Sequence, residues 1–178
     1  EGAFGDNLAV RWQLPDGTIE VPIAAGRLVP FGAIGATTVD LVFSDSASAG
    51  IPTPLVSGTY RPTDYDTSEA LPPGGTGAIG TSLAALLLPA PPAGANGDWL
   101  LYVRDHFGSN SGSISSWAVV VVTTNSATST LATNEFTSAG SITINDNSNA
   151  TPYPSRITVS GLTQPVTAVR VKLNGFSH

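Results

Sequence analysis

The chain has 178 residues, and its 13 acidic and 7 basic side chains leave a net charge of −6. A length of this order fits one domain, or one domain with an arm, and buries roughly 70 % of the unfolded surface without needing staples. The absence of Cys excludes disulfides and thiolate metal sites, and no Lys/Arg cluster offers the basic face that nucleic acid requires.

There is no Met either, even at the first position, so the chain reads as a processed product or a piece cut from a longer one. No apolar run approaches the roughly 20 residues that span a bilayer, and no signal sequence is visible. Sparse charge with abundant Ser, Thr, Gly, Asn and Ala is the composition of secreted β-proteins, which sets the expected location as extracellular or cell-surface.

Short apolar or alternating runs bounded by turn residues recur along the chain, with almost no helical periodicity, and this predicts an all-β protein. Residues 8–14 (LAVRWQL) form a strand, Pro15-Asp16-Gly17 a turn, and 18–23 the returning hairpin partner. In 38–44, Val39, Leu41 and Phe43 share one face. The Pro- and Gly-rich stretch 46–80 reads as a surface excursion, and 82–88 as a strand or one helical turn. Residues 99–105 and 113–123 are expected to pair as an antiparallel hairpin across a turn at 108–112. Residues 124–140 are polar and weakly patterned, which predicts a linker. Strands resume at 141–145, 155–159 and 167–174. In the last of these Val169, Val171 and Leu173 alternate with Arg170, Lys172 and Asn174, one face buried and one wet.

Candidate chemistry is thin. His106 and His178 are the only histidines. No Gly-x-Ser-x-Gly elbow accompanies them, so both read as structural residues and no catalytic residue is assigned. Asp40, Asp45, Asp64, Asp66 and Glu69 could serve glycosidic chemistry only if two of them met across a cleft. Calcium is the more reasonable cation, since it takes hard oxygens from irregular loops; Asp6, Asp105 and Asp146, the last within Asn145-Asp146-Asn147, are the candidate ligands. Turn formation by these Asn and Asp side chains is the simpler account of them. Among the aromatic residues, Tyr60 and Tyr65 in the long excursion are the candidate sugar platforms, whereas Trp99 and Trp117 read as core. Asn149-Ala150-Thr151 fits a glycosylation sequon.

The run Gly97-Asp98-Trp99-Leu-Leu-Tyr-Val-Arg-Asp105, with Gly112, Ile114 and Trp117 after it, resembles the closing motif of P domains (P/Homo B). These are jelly-roll, galactose-binding-like β-sandwiches found beside subtilisin-like proteases and in secreted bacterial proteins. Ser57-Gly-Thr-Tyr60-Arg-Pro-Thr-Asp-Tyr65 resembles their middle. Pro154-Ser-Arg-Ile-Thr-Val-Ser-Gly161-Leu and Val169-Arg-Val-Lys-Leu-Asn-Gly-Phe-Ser-His178 resemble their start. In the family the histidine runs directly into an aspartate-leucine strand with a Pro-x-Gly turn, which here stands at the other end, as Gly5-Asp6-Asn7-Leu8 through Pro15-Asp16-Gly17. The resemblance thus covers nearly the whole chain, in circularly permuted order. It departs at Asn110, where the family's loop carries an acid, so a cation site built on that carboxylate lacks it.

The resemblance divides the chain into the major part of a sandwich (1–123), a polar linker (124–140) and opening strands (141–178) that complete the same or a neighbouring copy. A sandwich without its opening strands exposes apolar edges and unpaired backbone groups. Residues 141–178 can therefore fold back, insert into the next copy by strand addition, a head-to-tail contact that does not close, or, if the chain is one period of a tandem array, run covalently from His178 into the next copy's Glu1. The second route is the favoured expectation. Its contact residues are Ile142, Ile144, Ile157, Val159, Val169, Val171, Leu173 and Phe176. The expected function is a non-catalytic extracellular module, a repeating subunit of a surface filament whose partners are copies of itself. The alternatives are an accessory domain of a secreted subtilisin-like protease, which the resemblance implies, and a glycan-binding adhesive module.

Overall fold

The computed structural model describes residues 8–13, 19–25, 38–52, 55–64, 78–79, 83, 95–106, 108 and 111–178, with 8–13, 19–25, 63–64 and 78–79 given as backbone pairing. The described residues contain thirteen strands: β1 (Leu8–Gln13), β2 (Ile19–Ala25), β3 (Val39–Ser44), β4 (Gly58–Tyr60), β5 (Thr63–Asp64), β6 (Ala78–Ile79), β7 (Gly97–Asp105), β8 (Gly112–Ile114), β9 (Ser116–Asn125), β10 (Thr130–Thr137), β11 (Ile142–Ile144), β12 (Ser155–Val159) and β13 (Val166–Phe176). The protein is all-β, and no helix among the described residues is long and apolar enough to cross a membrane.

Two main sheets carry the architecture. One runs β12-β7-β1-β2-β5, with β6 also on β2, and the other runs β10-β9-β13-β3-β4; β11 and β8 form a small third sheet. Both main sheets feed one core, in which Trp99, Leu101 and Ile157 from the first meet Leu41, Phe43, Trp117 and Val171 from the second. The alternation predicted for residues 38–44 holds: Val39, Leu41 and Phe43 are buried while Asp40 faces solvent. β9 is different, with Trp117 to Thr123 buried without interruption. A continuous run of this kind suits an interior strand, and β9 is flanked on both sides, by β10 and β13.

Two expectations are corrected. Residues 99–105 and 113–123 do not pair with each other. β7 pairs with β1 and β12, whereas β9 pairs with β10 and β13, so the chain crosses between the sheets after β7. Residues 124–140 are not simply a linker, because most of them form a hairpin with β9. The turn closes at Asn125, whose side-chain oxygen accepts from the Ala127 amide (2.9 Å) and whose carbonyl accepts from the Ser129 amide (2.7 Å), with Ser129 at φ 54°. β10 then pairs residue by residue from Thr130↔Asn125 to Thr137↔Ala118.

The excursion 46–80 contains only short strands among its described residues, and β4 lies parallel to β3. The turn at 15–17 lies outside the described residues, as does 82–88 except for the fully buried Leu83.

Candidate functional site: the seam between the C-terminal segment and the body

Residues 141–178 close onto their own chain in this structure, and they enter all three sheets. β13 lies between β9 and β3 and bonds to both, with Val171 opposite Val119 on one side and Phe43 on the other. β12 extends the first sheet by pairing with β7, Ile157 opposite Trp99. β11 pairs with β8, Ile142 opposite Ile114. All eight residues expected to make the contact are buried: Ile142, Ile144, Ile157, Val159, Val169, Val171, Leu173 and Phe176. Their alternation with polar residues is what seats them. A strand side chain faces the core at every second position, and β12 runs buried, exposed, buried, exposed, buried.

Polar contacts fix the segment's position. The indole Nε1–H of Trp117 donates to Ser155 Oγ (2.9 Å), a fully buried bond joining β9 of one sheet to β12 of the other. The Gly175 amide, at φ 60°, donates to Asp40 Oδ1 (2.7 Å) where β13 bulges against β3 between Leu173 and Phe176. Ser177 exchanges backbone bonds with Ser113, its amide donating at 2.9 Å and its carbonyl accepting at 2.8 Å. Gly112 is required beside this pair, because a Cβ there would collide with the Ser177 carbonyl oxygen.

The seam ends at Asp105, whose side chain is fully buried. Its Oδ2 accepts from the Asn147 amide (3.3 Å) and lies 3.4 Å from His178 Nε2, while its own amide donates to the Ser148 carbonyl (3.0 Å). Asp105 is also the partner of Leu8 at the start of β1. The beginning of the first strand and His178, two residues beyond the last, therefore meet on one residue. His178 lies against this buried carboxylate, and His106 follows β7 at its end.

Two of the three proposed calcium ligands are brought to this corner. Asp105 is buried, while Asp146 is exposed in the turn that holds Asn147 and Ser148 against it. Asp6 lies outside the described residues. Among the described residues no group of three or more His, Cys, Asp or Glu side chains could hold a metal ion. The neighbouring asparagines stabilise the turn: Asn145 Nδ2 donates to the Asn149 carbonyl (2.7 Å), and Asn149 Oδ1 accepts from Arg104 (2.9 Å).

Tyr60 is a correction. It was expected to stand exposed as a sugar platform, but it is buried, its ring lies over Gly58, and its hydroxyl donates to the Val56 carbonyl (2.8 Å). Tyr65 lies outside the described residues. Trp99 and Trp117 are fully buried, as core residues should be.

Sequence reasoning missed Ser155, which satisfies a buried indole, and Asp40, which holds the β13 bulge. Only a tryptophan's need for an acceptor hinted at the first. Compared with family models, curated proteins and solved structures, the chain matches none.

Proposed function

We propose that this chain is a non-catalytic, extracellular assembly module of the P-domain type, a jelly-roll sandwich whose opening strands are carried at 141–178. The segment completes its own copy, as seen here. In an assembly it completes the next copy head to tail and builds a filament. One observation carries this reading: β13 occupies the middle of the five-stranded sheet, between β3 and β9, and not an edge. Without it β3 and β9 would each present an unpaired edge and the buried faces around Leu41, Phe43, Val119 and Val121 would be uncovered. The body thus needs a donated strand, and either its own segment or a neighbour's makes the same contacts.

The geometry provides a place to open. Ser138 is pinned to β9, its amide donating to the Trp117 carbonyl (2.9 Å) and its Oγ accepting from the Trp117 amide (3.0 Å). β11 begins at Ile142. Between them, Ala139, Gly140 and Ser141 are exposed, and a Cβ on Gly140 would touch nothing within 4 Å. Rotation in this short hinge redirects the segment without disturbing the β9–β10 hairpin, the usual route to exchange of an element between copies. Electron microscopy of the purified protein after concentration tests the reading. Filaments with a regular axial repeat support it, and dispersed monomers at every concentration overturn it.

A further inference from the structure

We infer that β10 is a second self-association surface, at which two copies join their five-stranded sheets edge to edge through antiparallel pairing of β10 with β10. The inference rests on a comparison of the sheet edges among the described residues. An edge strand offers unpaired N–H and C=O groups, and proteins blunt such edges by shortness, proline, charge or bulges. β4 is three residues long and is followed by Arg61-Pro62. β5 and β6 have two residues each. β12 has five and follows Pro154.

β10 lacks the shortness, the proline and the bulge. It is eight residues long, Thr-Leu-Ala-Thr-Asn-Glu-Phe-Thr, contains no Pro, Lys or Arg, and pairs with β9 at eight consecutive positions with no register shift. Its one charge, Glu135, is held by Lys172 of β13 (2.6 Å). Leu131 on this strand is 69 % exposed, one of two large hydrophobic side chains so placed among the described residues.

A second β10 is the occupant that fits. Two-fold antiparallel pairing keeps each side chain on its own face of the sheet, so a residue at the centre meets its own copy. Centred on Asn134, the pairing sets Leu131 opposite Thr137, Ala132 opposite Phe136 and Thr133 opposite Glu135. The two Glu135 side chains are not opposed, and like charges directly opposite are what such a pair must avoid. The contact is isologous and closes at two copies, so it links filaments laterally and does not extend them.

The chain has no Cys, so a single introduced thiol reports one contact. In the full chain, Asn134→Cys under mild oxidation is expected to form a covalent dimer many-fold faster than Thr59→Cys, an exposed position on the β4 edge. Sedimentation equilibrium of the unmodified chain, at concentrations below those at which filaments form, is expected to show a doubled mass. Thr133→Pro and Asn134→Pro complete the test, because adjacent residues in a strand point their amides to opposite sides. One proline removes a bond to β9 and destabilises the fold; the other blocks only the outer edge and yields a stable monomer. Equal cross-linking of the two thiol variants overturns the inference, as does a dimer that persists in the stable proline variant.

Discussion

Truncation of Phe176 to Ala probes whether the C-terminal segment belongs to the cooperative core. Phe176 is fully buried at the end of β13, across a bulge from Val39. Removing its ring deletes buried apolar surface and leaves a cavity that the flanking strands of a close-packed sandwich fill only in part, a combination that costs about 3–5 kcal/mol. A domain of this size is stabilised by about 5–15 kcal/mol in total, so the variant retains a measurable but much reduced margin. With a urea slope of about 2 kcal/mol per molar, the unfolding midpoint falls by about 1.5–2.5 M. The fluorescence of Trp99 and Trp117, both buried, follows the transition. Thr163→Ala, in an exposed loop, is the matched control and changes stability by less than about 0.5 kcal/mol. A midpoint shift below about 0.5 M for Phe176→Ala would refute the reasoning, since the ring could not then be packed as described.

Ser155→Ala leaves the buried Trp117 indole without its acceptor and should cost about 1–3 kcal/mol in thermal or urea unfolding; Trp117→Phe added to it should cost less than in the parent, because that penalty is already incurred. Gly112→Ala drives a methyl into the Ser177 carbonyl, so the end of the segment must lift: amide exchange at Ser113 and Ser177 should quicken, with about 1–3 kcal/mol lost. Glu135→Gln, by contrast, should change stability by less than about 1 kcal/mol, and by less still in high salt, because both side chains of the Lys172–Glu135 pair retain considerable solvent exposure.

The C-terminal segment was legible because its strands are half buried. The alternation of Val169, Val171 and Leu173 with Arg170, Lys172 and Asn174 announces a core face wherever the strand docks. β10 was not legible for the opposite reason. It is an edge strand on the outside of the sheet, where Thr130, Leu131, Ala132 and Thr133 are all exposed, so no apolar period marks it. Its pairing comes from β9 and from the Asn125 turn. The β7/β9 error has a different origin. Two good strands joined by a Gly/Ser turn look like a hairpin, and it is their partners elsewhere in the chain, β1 and β12 for β7, β10 and β13 for β9, that place them in different sheets. Tyr60 was misplaced because a residue in an irregular excursion gives no pattern from which burial can be read. Burial follows instead from the parallel docking of β4 on β3, which sets Phe43 opposite Tyr60.

The central claim, that 141–178 can complete a neighbour as it completes its own body, is tested most directly by pairing two defective copies. Val171→Asp puts a charge on the donated strand, and Val119→Asp puts one in the groove that receives it; both positions are fully buried and face each other in the ladder. Each variant alone should be poorly folded, because a buried unpaired carboxylate is not tolerated. Refolded together, the intact segment of the Val119→Asp chain can enter the intact groove of the Val171→Asp chain. Strand exchange predicts recovery of a one-to-one heterodimer by native mass spectrometry in which one of the two sandwiches is complete, with Trp117 of the Val171→Asp chain again buried. A mixture no better folded than its components would contradict it.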